Sequence, residues 1–359
     1  MTVKIYRHVY ISKQGFSLVE LLVVIAILAV LLGMFLPATR SVREASRRTA
    51  CSNNLRQVSL AALNFESSHG FFPAAMGDSM LLEKSNSQDA NRMSGILLLT
   101  TYLEQRLSGA WFDAPLEHNG VSFPAYPSPL DRRYPIWQQH NEYLVCPSTV
   151  SDENEGFAEI SYAFCIGDSA KNIHAPSFAR GTNAAGINVK LQDITDGTSN
   201  TIYAAEIGTL NHYTTHSEVA IQSAKVVEKP EFAFELVTSN GKNFPENMPL
   251  AKMKRGYNWA DGAATSSMVS TILPPNSPSF ATSSNELSDG LYSAASQHPG
   301  GVNISRADGS IAFVADDIDC GDLGATPIDL QSLTQTNQPS PFGVWGALGS
   351  RGGEGTMDE

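Results

Sequence analysis

An uninterrupted apolar run near the start of the chain dominates its hydrophobic pattern. The run extends from Phe16 to Leu36, and Ser17 and Glu20 are its only polar residues. At a rise of about 1.5 Å per residue, about 20 apolar residues match the roughly 30 Å hydrocarbon core of a bilayer. The pattern therefore predicts a transmembrane helix at about residues 16–36.

A helical pattern continues beyond this run, from Ser41 to His69. Apolar residues recur there every three or four positions and would share one face of a helix: Cys51, Leu55, Val58, Ala62 and Phe65. His69-Gly70, followed by Pro73, is a typical helix stop. We therefore predict one long helix over residues 16–70, whose amphipathic second part at 41–69 packs against the rest of the protein.

The remaining residues, 71–359, are predicted to form a β-rich globular domain. Gly, Pro, Ser, Thr and Asn are plentiful, and only 17% of the chain is charged, which favours loops and strands over long helices. We predict a short helix at 94–107, an ordered loop at 110–142, and strands near 159–166 and 201–205. The predicted fold class is α+β, with the long helix packed on a mainly antiparallel sheet that carries long loops.

A β-hairpin is predicted around a signature at 298–309. Val302–Ser305 and Ile311–Val314 flank Asp308-Gly309, and an Asp-Gly pair between apolar stretches is a strong turn signal. We expect the side chain of His298 to reach toward Asp308 across the strand ends. A catalytic role would need a third residue, and no nucleophile motif supplies one, so we expect the imidazole to cap a backbone group instead.

The charge balance excludes one class of function. With 24 basic and 36 acidic residues, the formal net charge is −12. A nucleic-acid-binding protein needs a basic face for the phosphates, so we expect no nucleic-acid partner.

An acidic loop after the hairpin is a candidate calcium site. Clustered carboxylates in a glycine-containing loop suit Ca²⁺, although the spacing here is not that of an EF-hand. The alternative is a solvated acidic turn, and no other cofactor is expected. The candidate ligands are Asp316, Asp317, Asp319 and Asp322.

The first forty residues resemble a known export signal. A basic leader, residues 1–15, ends at Gly15; Phe-Ser-Leu-Val-Glu-Leu-Leu follows, and Pro37 comes after the apolar run. This pattern closely resembles the type III signal of type IV prepilins and type II secretion pseudopilins. A secretory signal peptide would have a shorter apolar region of about 7–15 residues. A plain membrane anchor would not explain Glu20, because a charged carboxylate in lipid costs about 2–3 kcal/mol or more.

The resemblance implies a role for each residue that matches this signal. A prepilin peptidase/N-methyltransferase would cleave after Gly15 and methylate the new amino group of Phe16. Glu20 would neutralise the amino terminus of a neighbouring subunit during assembly, and Pro37 would bend the helix. The resemblance also implies a single-pass protein of the cytoplasmic membrane, with its globular domain in the periplasm or at the cell surface.

The globular domain carries a second resemblance. A histidine, nine residues and Asp-Gly after a prepilin-type leader is similar to a large bacterial family, abundant in planctomycetes, whose body has no known function. Matching stretches also occur at 196–202, 255–262 and 344–354. The chain departs from the family at Ser305-Arg306, where an apolar-aromatic pair is usual, and this leaves the burial of the first hairpin strand open.

The cysteines alone do not reveal their pairing. Four cysteines allow three fully paired connectivities: they are Cys51, Cys146, Cys165 and Cys320. The family resemblance reappears around Cys51 and Cys146, and it implies a disulfide between them that clamps the helix to the domain. Buried free cysteines are the alternative.

The expected function is structural, not enzymatic. The resemblance implies a pseudopilin-like, membrane-inserted subunit. Its partners would be the cytoplasmic membrane, the prepilin peptidase, and further copies of itself or other pseudopilins, with which it would assemble into a fibre or a secretion-type pseudopilus. The alternative is a membrane-anchored envelope protein whose globular domain binds a glycan, a metal or a protein partner. An exported hydrolase is a third class.

Overall fold

The computed structural model describes residues 15, 17–85, 87, 89–103, 112–149, 156–208, 215–222, 224–238, 241, 243–331 and 338–352. Phe16 lies outside these residues, and so do the side chain of Pro37 and the end of the helix predicted at 94–107. The chain divides between Ser46 and Arg47 into two compact units.

A long N-terminal helix is the main helical element, and it confirms the predicted one. It ends at His69, where Gly70 takes a φ of +80° that glycine adopts without strain. Within the described residues, no helix combines the length and the apolar character that crossing a membrane requires. The described α-helices are α1 (Leu18–His69), α2 (Ser79–Lys84), α3 (Ile96–Leu99), α4 (Ala224–Glu228), α5 (Ala264–Ser267) and α6 (Gly343–Gly349). Short 3₁₀ helices occur at Ala90–Arg92, Thr100–Tyr102, Pro135–Gln138, Leu191–Asp193 and Pro230–Leu236.

The strands form mixed sheets, so the fold is α+β, as predicted. Most strand pairs are antiparallel, while β3–β7, β4–β12 and β6–β8 are parallel. Their bounds are β1 (Leu116–His118), β2 (Val121–Phe123), β3 (Tyr162–Gly167), β4 (Ser169–Lys171), β5 (Ile202–Glu206), β6 (Val219–Ile221), β7 (Met268–Ser270), β8 (Ser279–Ala281), β9 (Gly290–Leu291), β10 (Gly301–Arg306), β11 (Ile311–Ala315) and β12 (Ile328–Asp329).

A five-stranded sheet in the order β11-β10-β5-β3-β7 forms the centre of the globular unit. Successive side chains of a strand point to opposite faces, so one strand can supply two cores. On β3, Tyr162 and Phe164 join the core that contains the α1 stripe, whereas Ala163 and Cys165 join the core around Trp345 of α6. The sheet is therefore covered on both faces.

The predicted apolar stripe of α1 packs into the core on one face of the sheet. Its five residues, Cys51, Leu55, Val58, Ala62 and Phe65, are each at most 1% exposed. Full burial of a Val, Leu or Phe side chain stabilises a fold by about 1.5–3 kcal/mol each, so the stripe is a major contribution to stability.

Two segments differ from the sequence-based expectation. The helix predicted at 94–107 is α3 plus one 3₁₀ turn, and Leu103 is already extended. The hydroxyls of Thr100 and Thr101 donate to the carbonyls of Leu97 and Leu98, which competes with regular helix continuation. The predicted loop at 110–142 contains the hairpin β1–β2 and the 3₁₀ helix Pro135–Gln138.

Candidate functional site

Four side chains capable of binding a metal converge in one buried cluster. They are Cys51, Cys146, Glu206 and His298, and one ligand atom from each lies within 4.8 Å of all the others. Each of the four residues is at most 5% exposed. We refer to these four residues as the Cys–His–Glu cluster.

The Cys51–Cys146 pair forms the disulfide that the family resemblance implied, and it closes a sequence separation of 95 residues. Hydrogen bonds from two side chains support it. The Tyr162 hydroxyl donates to the Cys51 carbonyl at 2.9 Å. The Asn54 amide donates to the carbonyls of Glu142 and Val145 at 2.7 and 3.0 Å. The second part of α1 is thus held to the sheet and its flanking loop by covalent and polar contacts as well as by apolar packing.

His298 faces both the disulfide and Glu206. Its Nε2 lies 3.5 Å from Cys146 Sγ and 3.6 Å from Glu206 Oε1. Both oxygens of the Glu206 carboxylate accept hydrogen bonds from Asn303, one from the backbone N–H at 2.8 Å and one from the side-chain amide at 2.9 Å. These bonds fix the carboxylate at the end of β5, opposite the neighbouring strand β10.

The His-Pro-Gly-Gly turn positions the imidazole. The Ser296 hydroxyl accepts a hydrogen bond from the His298 N–H at 3.0 Å and donates to the Gly301 carbonyl at 2.7 Å. Gly300 has a φ of +83°. A Cβ on Gly301 would lie 2.1 Å from the Val314 carbonyl oxygen, so only glycine fits where β10 begins beside β11.

The cluster does not have the geometry of a nucleophile–base–orienter set. Such a set needs the nucleophile at one imidazole nitrogen and the orienting carboxylate at the other. Here the sulfur and the carboxylate face the same nitrogen, Nε2 of His298, and the sulfur is part of a disulfide. The two free cysteines, Cys165 and Cys320, are buried, and burial raises the pKa of each thiol to about 12, so both are poor nucleophiles.

The expectation that His298 reaches toward Asp308 is wrong. The six residues of β10 lie between them, and a strand advances about 3.3 Å per residue. Asp308 is exposed and accepts a hydrogen bond from the Ser310 N–H at 2.8 Å, and Gly309 has a φ of +81°. The two ends of the signature therefore have different structural roles. His298 belongs to the Cys–His–Glu cluster, and Asp308-Gly309 forms the hairpin turn.

The strand between them is buried in spite of the Ser305-Arg306 departure. Ser305 is 0% exposed, and its hydroxyl lies 3.4 Å from the Ala204 carbonyl, to which it donates. The question left open by the sequence is settled in favour of a buried strand.

Three of the four candidate calcium ligands accept hydrogen bonds from other groups of the protein. Asp319 and Asp322 accept hydrogen bonds from the N–H groups of Gly321 and Gly324, both at 2.9 Å, and Asp316 accepts one from the Asn276 amide at 2.7 Å. Among the described residues, the Cys–His–Glu cluster is the group whose ligand atoms converge, and it includes none of these aspartates or Asp317. Calcium binding stays a prediction.

The start of α1 shows a contact that the sequence interpretation missed. The Ser17 N–H donates to a Glu20 carboxylate oxygen at 2.8 Å, and the Glu20 N–H donates to the Ser17 hydroxyl oxygen at 3.2 Å. This is a capping box, whose sequence signal is a serine followed three residues later by a glutamate. Glu20 therefore has a partner in its own chain, and its assembly contact stays a prediction.

A second polar cluster forms around Asp261, which belongs to the matching stretch 255–262 and is buried. Arg92 donates from Nε and an Nη to the two oxygens of Asp261, both at 2.8 Å, and it also pairs with Glu286. His174 lies beside it: its Nε2 accepts a hydrogen bond from the Ala264 N–H at 3.0 Å, and its Nδ1 is buried without a hydrogen-bond partner among the described residues.

His174 makes stability depend on pH. Burial, reinforced by the positive charge of Arg92, lowers the pKa of His174 to about 4, whereas an unfolded histidine titrates near 6.5. Below about pH 6.5 the unfolded chain takes up a proton that the folded chain refuses until about pH 4, so this contribution to stability is lost as the pH falls through that window. Between pH 7 and 4.5, we expect the free energy of unfolding of the parent to fall by on the order of 2 kcal/mol more than that of His174→Gln. Urea unfolding at both pH values measures the difference. Parallel pH profiles would contradict this assignment.

Glu206 is the cluster residue that sequence reasoning did not single out. The strand was predicted to end at residue 205, but β5 includes Glu206, which is 1% exposed. A buried carboxylate at the end of an apolar strand needs a partner. The position of Glu206 directly after the apolar strand was therefore the sequence signal that could have indicated its role.

Comparison with known proteins identifies two family models. The model described as "Protein of unknown function (DUF1559)" matches residues 40–321, and the "Prokaryotic N-terminal methylation motif" matches residues 11–36. No curated protein and no solved structure matches the chain. The first match covers both the Cys–His–Glu cluster and the hairpin turn.

Proposed function

Because the chain belongs to the DUF1559 family and carries a prokaryotic N-terminal methylation motif, we propose that it is a non-enzymatic, pseudopilin-like subunit. A prepilin peptidase cleaves it after Gly15 and methylates Phe16. The first part of α1 anchors the protein in the cytoplasmic membrane, and the globular domain lies in the periplasm or at the cell surface. We take the fold to be pilin-like, because it combines one long N-terminal helix with a β-rich domain. The observation that carries the proposal is the methylation motif at residues 11–36.

The exposed apolar surface of α1 supports a membrane-inserted, assembling subunit. Large apolar side chains between Leu18 and Leu32 are 44–78% exposed. A contiguous apolar surface of this kind marks a site that lipid or another helix covers. In the proposed function, lipid covers it before assembly and the helices of neighbouring subunits cover it in the fibre.

The Cys–His–Glu cluster supports a structural role. Its sulfurs are crosslinked and its side chains are buried, so a substrate has no direct access to them. A subunit that resists mechanical load benefits from a covalent link between its helix and its sheet. This is the function that the buried geometry suits best.

One surface feature favours the alternative, a membrane-anchored protein that binds a ligand. A polar cleft of about 320 Å³ lies beside the β1–β2 hairpin, and this volume is within the range of small-ligand sites. It is lined by His118, Asn119, Val121, Arg133, Pro135 and Gln138. A processed protein that never sediments as filaments would favour this alternative.

Intact-mass measurement of the membrane-extracted protein tests the proposal. We expect loss of residues 1–15 and the gain of one methyl group. Gly15→Val should leave the full-length precursor, whereas the matched change Gly33→Val should still be processed. A side chain at either glycine meets nothing within 4 Å, so the contrast reports the peptidase and not the fold. A parent protein that keeps Met1 would refute the pseudopilin assignment.

A further inference from the structure

The Cys–His–Glu cluster has the composition of a metal site whose two sulfurs are joined. We propose that the reduced chain binds one Zn²⁺ there, through the thiolates of Cys51 and Cys146, Nε2 of His298 and Oε1 of Glu206. The site goes beyond the proposed function, because neither processing nor fibre formation requires a metal.

Two of the distances within the cluster fit tetrahedral coordination, and all four ligand atoms lie within 4.8 Å of one another. Zinc binds sulfur at about 2.3 Å and nitrogen or oxygen at about 2.0–2.2 Å, which places neighbouring ligand atoms about 3.3–3.8 Å apart. His298 Nε2 is 3.5 Å from Cys146 Sγ and 3.6 Å from Glu206 Oε1. The two sulfurs must also move apart. They separate from about 2.05 Å when bonded to about 3.7 Å on a shared metal, a shift of under about 1 Å each.

The surroundings already hold the proposed ligands in place. Asn303 donates one hydrogen bond to each oxygen of Glu206, and each carboxylate oxygen has a second lone pair for a metal. The Cys146 N–H donates to the Ser161 hydroxyl oxygen at 3.0 Å, which fixes the backbone of that ligand. Such outer contacts orient ligands and raise metal affinity.

Zinc binding requires that the disulfide first be reduced, and a dithiol or a phosphine can supply the two electrons. A dithiol transfers two electrons and two protons to the Cys51–Cys146 disulfide, giving two thiols, and is itself oxidised to a disulfide. A phosphine does the same with one water and becomes the phosphine oxide. Zn²⁺ then displaces both thiol protons to solvent. Two thiolates and an imidazole select zinc over calcium or magnesium, which prefer oxygen ligands.

The metal would replace the covalent link as the contact between α1 and the sheet. Because Cys51 is on α1 and the other three ligands are on the sheet and its loops, either the disulfide or the metal joins the same two parts. The link between α1 and the sheet would therefore persist when the disulfide is reduced.

Cobalt(II) spectroscopy of the detergent-solubilised full chain tests the site. After phosphine reduction and anaerobic removal of the reductant, we expect one equivalent of Co²⁺ to give the visible and thiolate charge-transfer bands of a tetrahedral site, and Zn²⁺ to abolish them. Asn303→Ala should weaken the affinity about 10–100-fold, and His298→Ala should weaken it more. The oxidised protein should bind none, whereas reduced Cys165→Ser and Cys320→Ser should bind as the parent does.

Three results would overturn the site. They are a reduced, folded chain that binds no metal, tetrahedral bands that persist unchanged in His298→Ala, and bands that require Cys165 or Cys320. If reduction unfolds the chain, Zn²⁺ must restore its far-ultraviolet circular dichroism, and failure to do so also counts against the site. None of these results bears on cleavage after Gly15, so they are distinguishable from failure of the proposed function.

Discussion

Replacing Glu20 with glutamine is expected to abolish sedimentable filaments while cleavage after Gly15 continues. In the proposed function, the Glu20 carboxylate neutralises the amino terminus of a neighbouring subunit within lipid. An unpaired charge in lipid costs about 2–3 kcal/mol or more. Without the Glu20 carboxylate, the amino terminus of the neighbouring subunit would be an unpaired charge at every contact of the fibre. The measurement is pelleting of the surface fibre fraction, with intact mass as the check on processing.

The capping box at the start of α1 supplies the matched control. Glutamine can still close a capping box, so Glu20→Gln removes the charge and keeps the cap. Ser17→Ala does the reverse, because it removes the hydroxyl that accepts the Glu20 N–H and keeps the carboxylate. That change costs the helix about 1 kcal/mol and should leave filaments in place. Loss of filaments in Ser17→Ala but not in Glu20→Gln would assign Glu20 to capping alone.

Removing the Cys51–Cys146 disulfide is expected to lower the free energy of unfolding by about 3–5 kcal/mol. The crosslink joins residues that are 95 apart, and closing a long loop restricts the unfolded chain strongly. Cys51 also lies in the buried stripe of α1, so its loss weakens the contact between the helix and the sheet as well as loosening a loop.

Urea unfolding of the detergent-solubilised Cys51→Ala/Cys146→Ala chain measures this effect, followed by tryptophan fluorescence because Trp137, Trp259 and Trp345 are fully buried. The matched control is Cys165→Ser, a buried free cysteine whose thiol faces the Gly349 carbonyl and whose replacement keeps a donor there. We expect the control to lose about 1–2 kcal/mol at most. Equal losses in both variants would show that the crosslink itself contributes little.

Local patterns account for the elements that were predicted correctly. The stripe of α1, its stop at Gly70 and the Asp308-Gly309 turn each depend on residues within one or two turns of chain, where side-chain period and backbone preference decide the structure. Two local signals were overlooked. Asn119-Gly120, with φ values of +49° and +76°, forms the turn between β1 and β2. Ser17 and Glu20 form the capping box.

The sequence by itself determined the leader motif, the long helix with its buried face, the hairpin turn and, through family resemblance, the Cys51–Cys146 pair. Only the tertiary structure decided that Glu206 and His298 meet that disulfide. Their meeting depends on the sheet order β10-β5-β3, in which strands far apart in sequence become neighbours. Pairing between distant strands is selected by the whole core, because each register buries or exposes every side chain of a strand at once. A local pattern therefore predicts a strand, and only the packed sheet shows which side chains meet at its end.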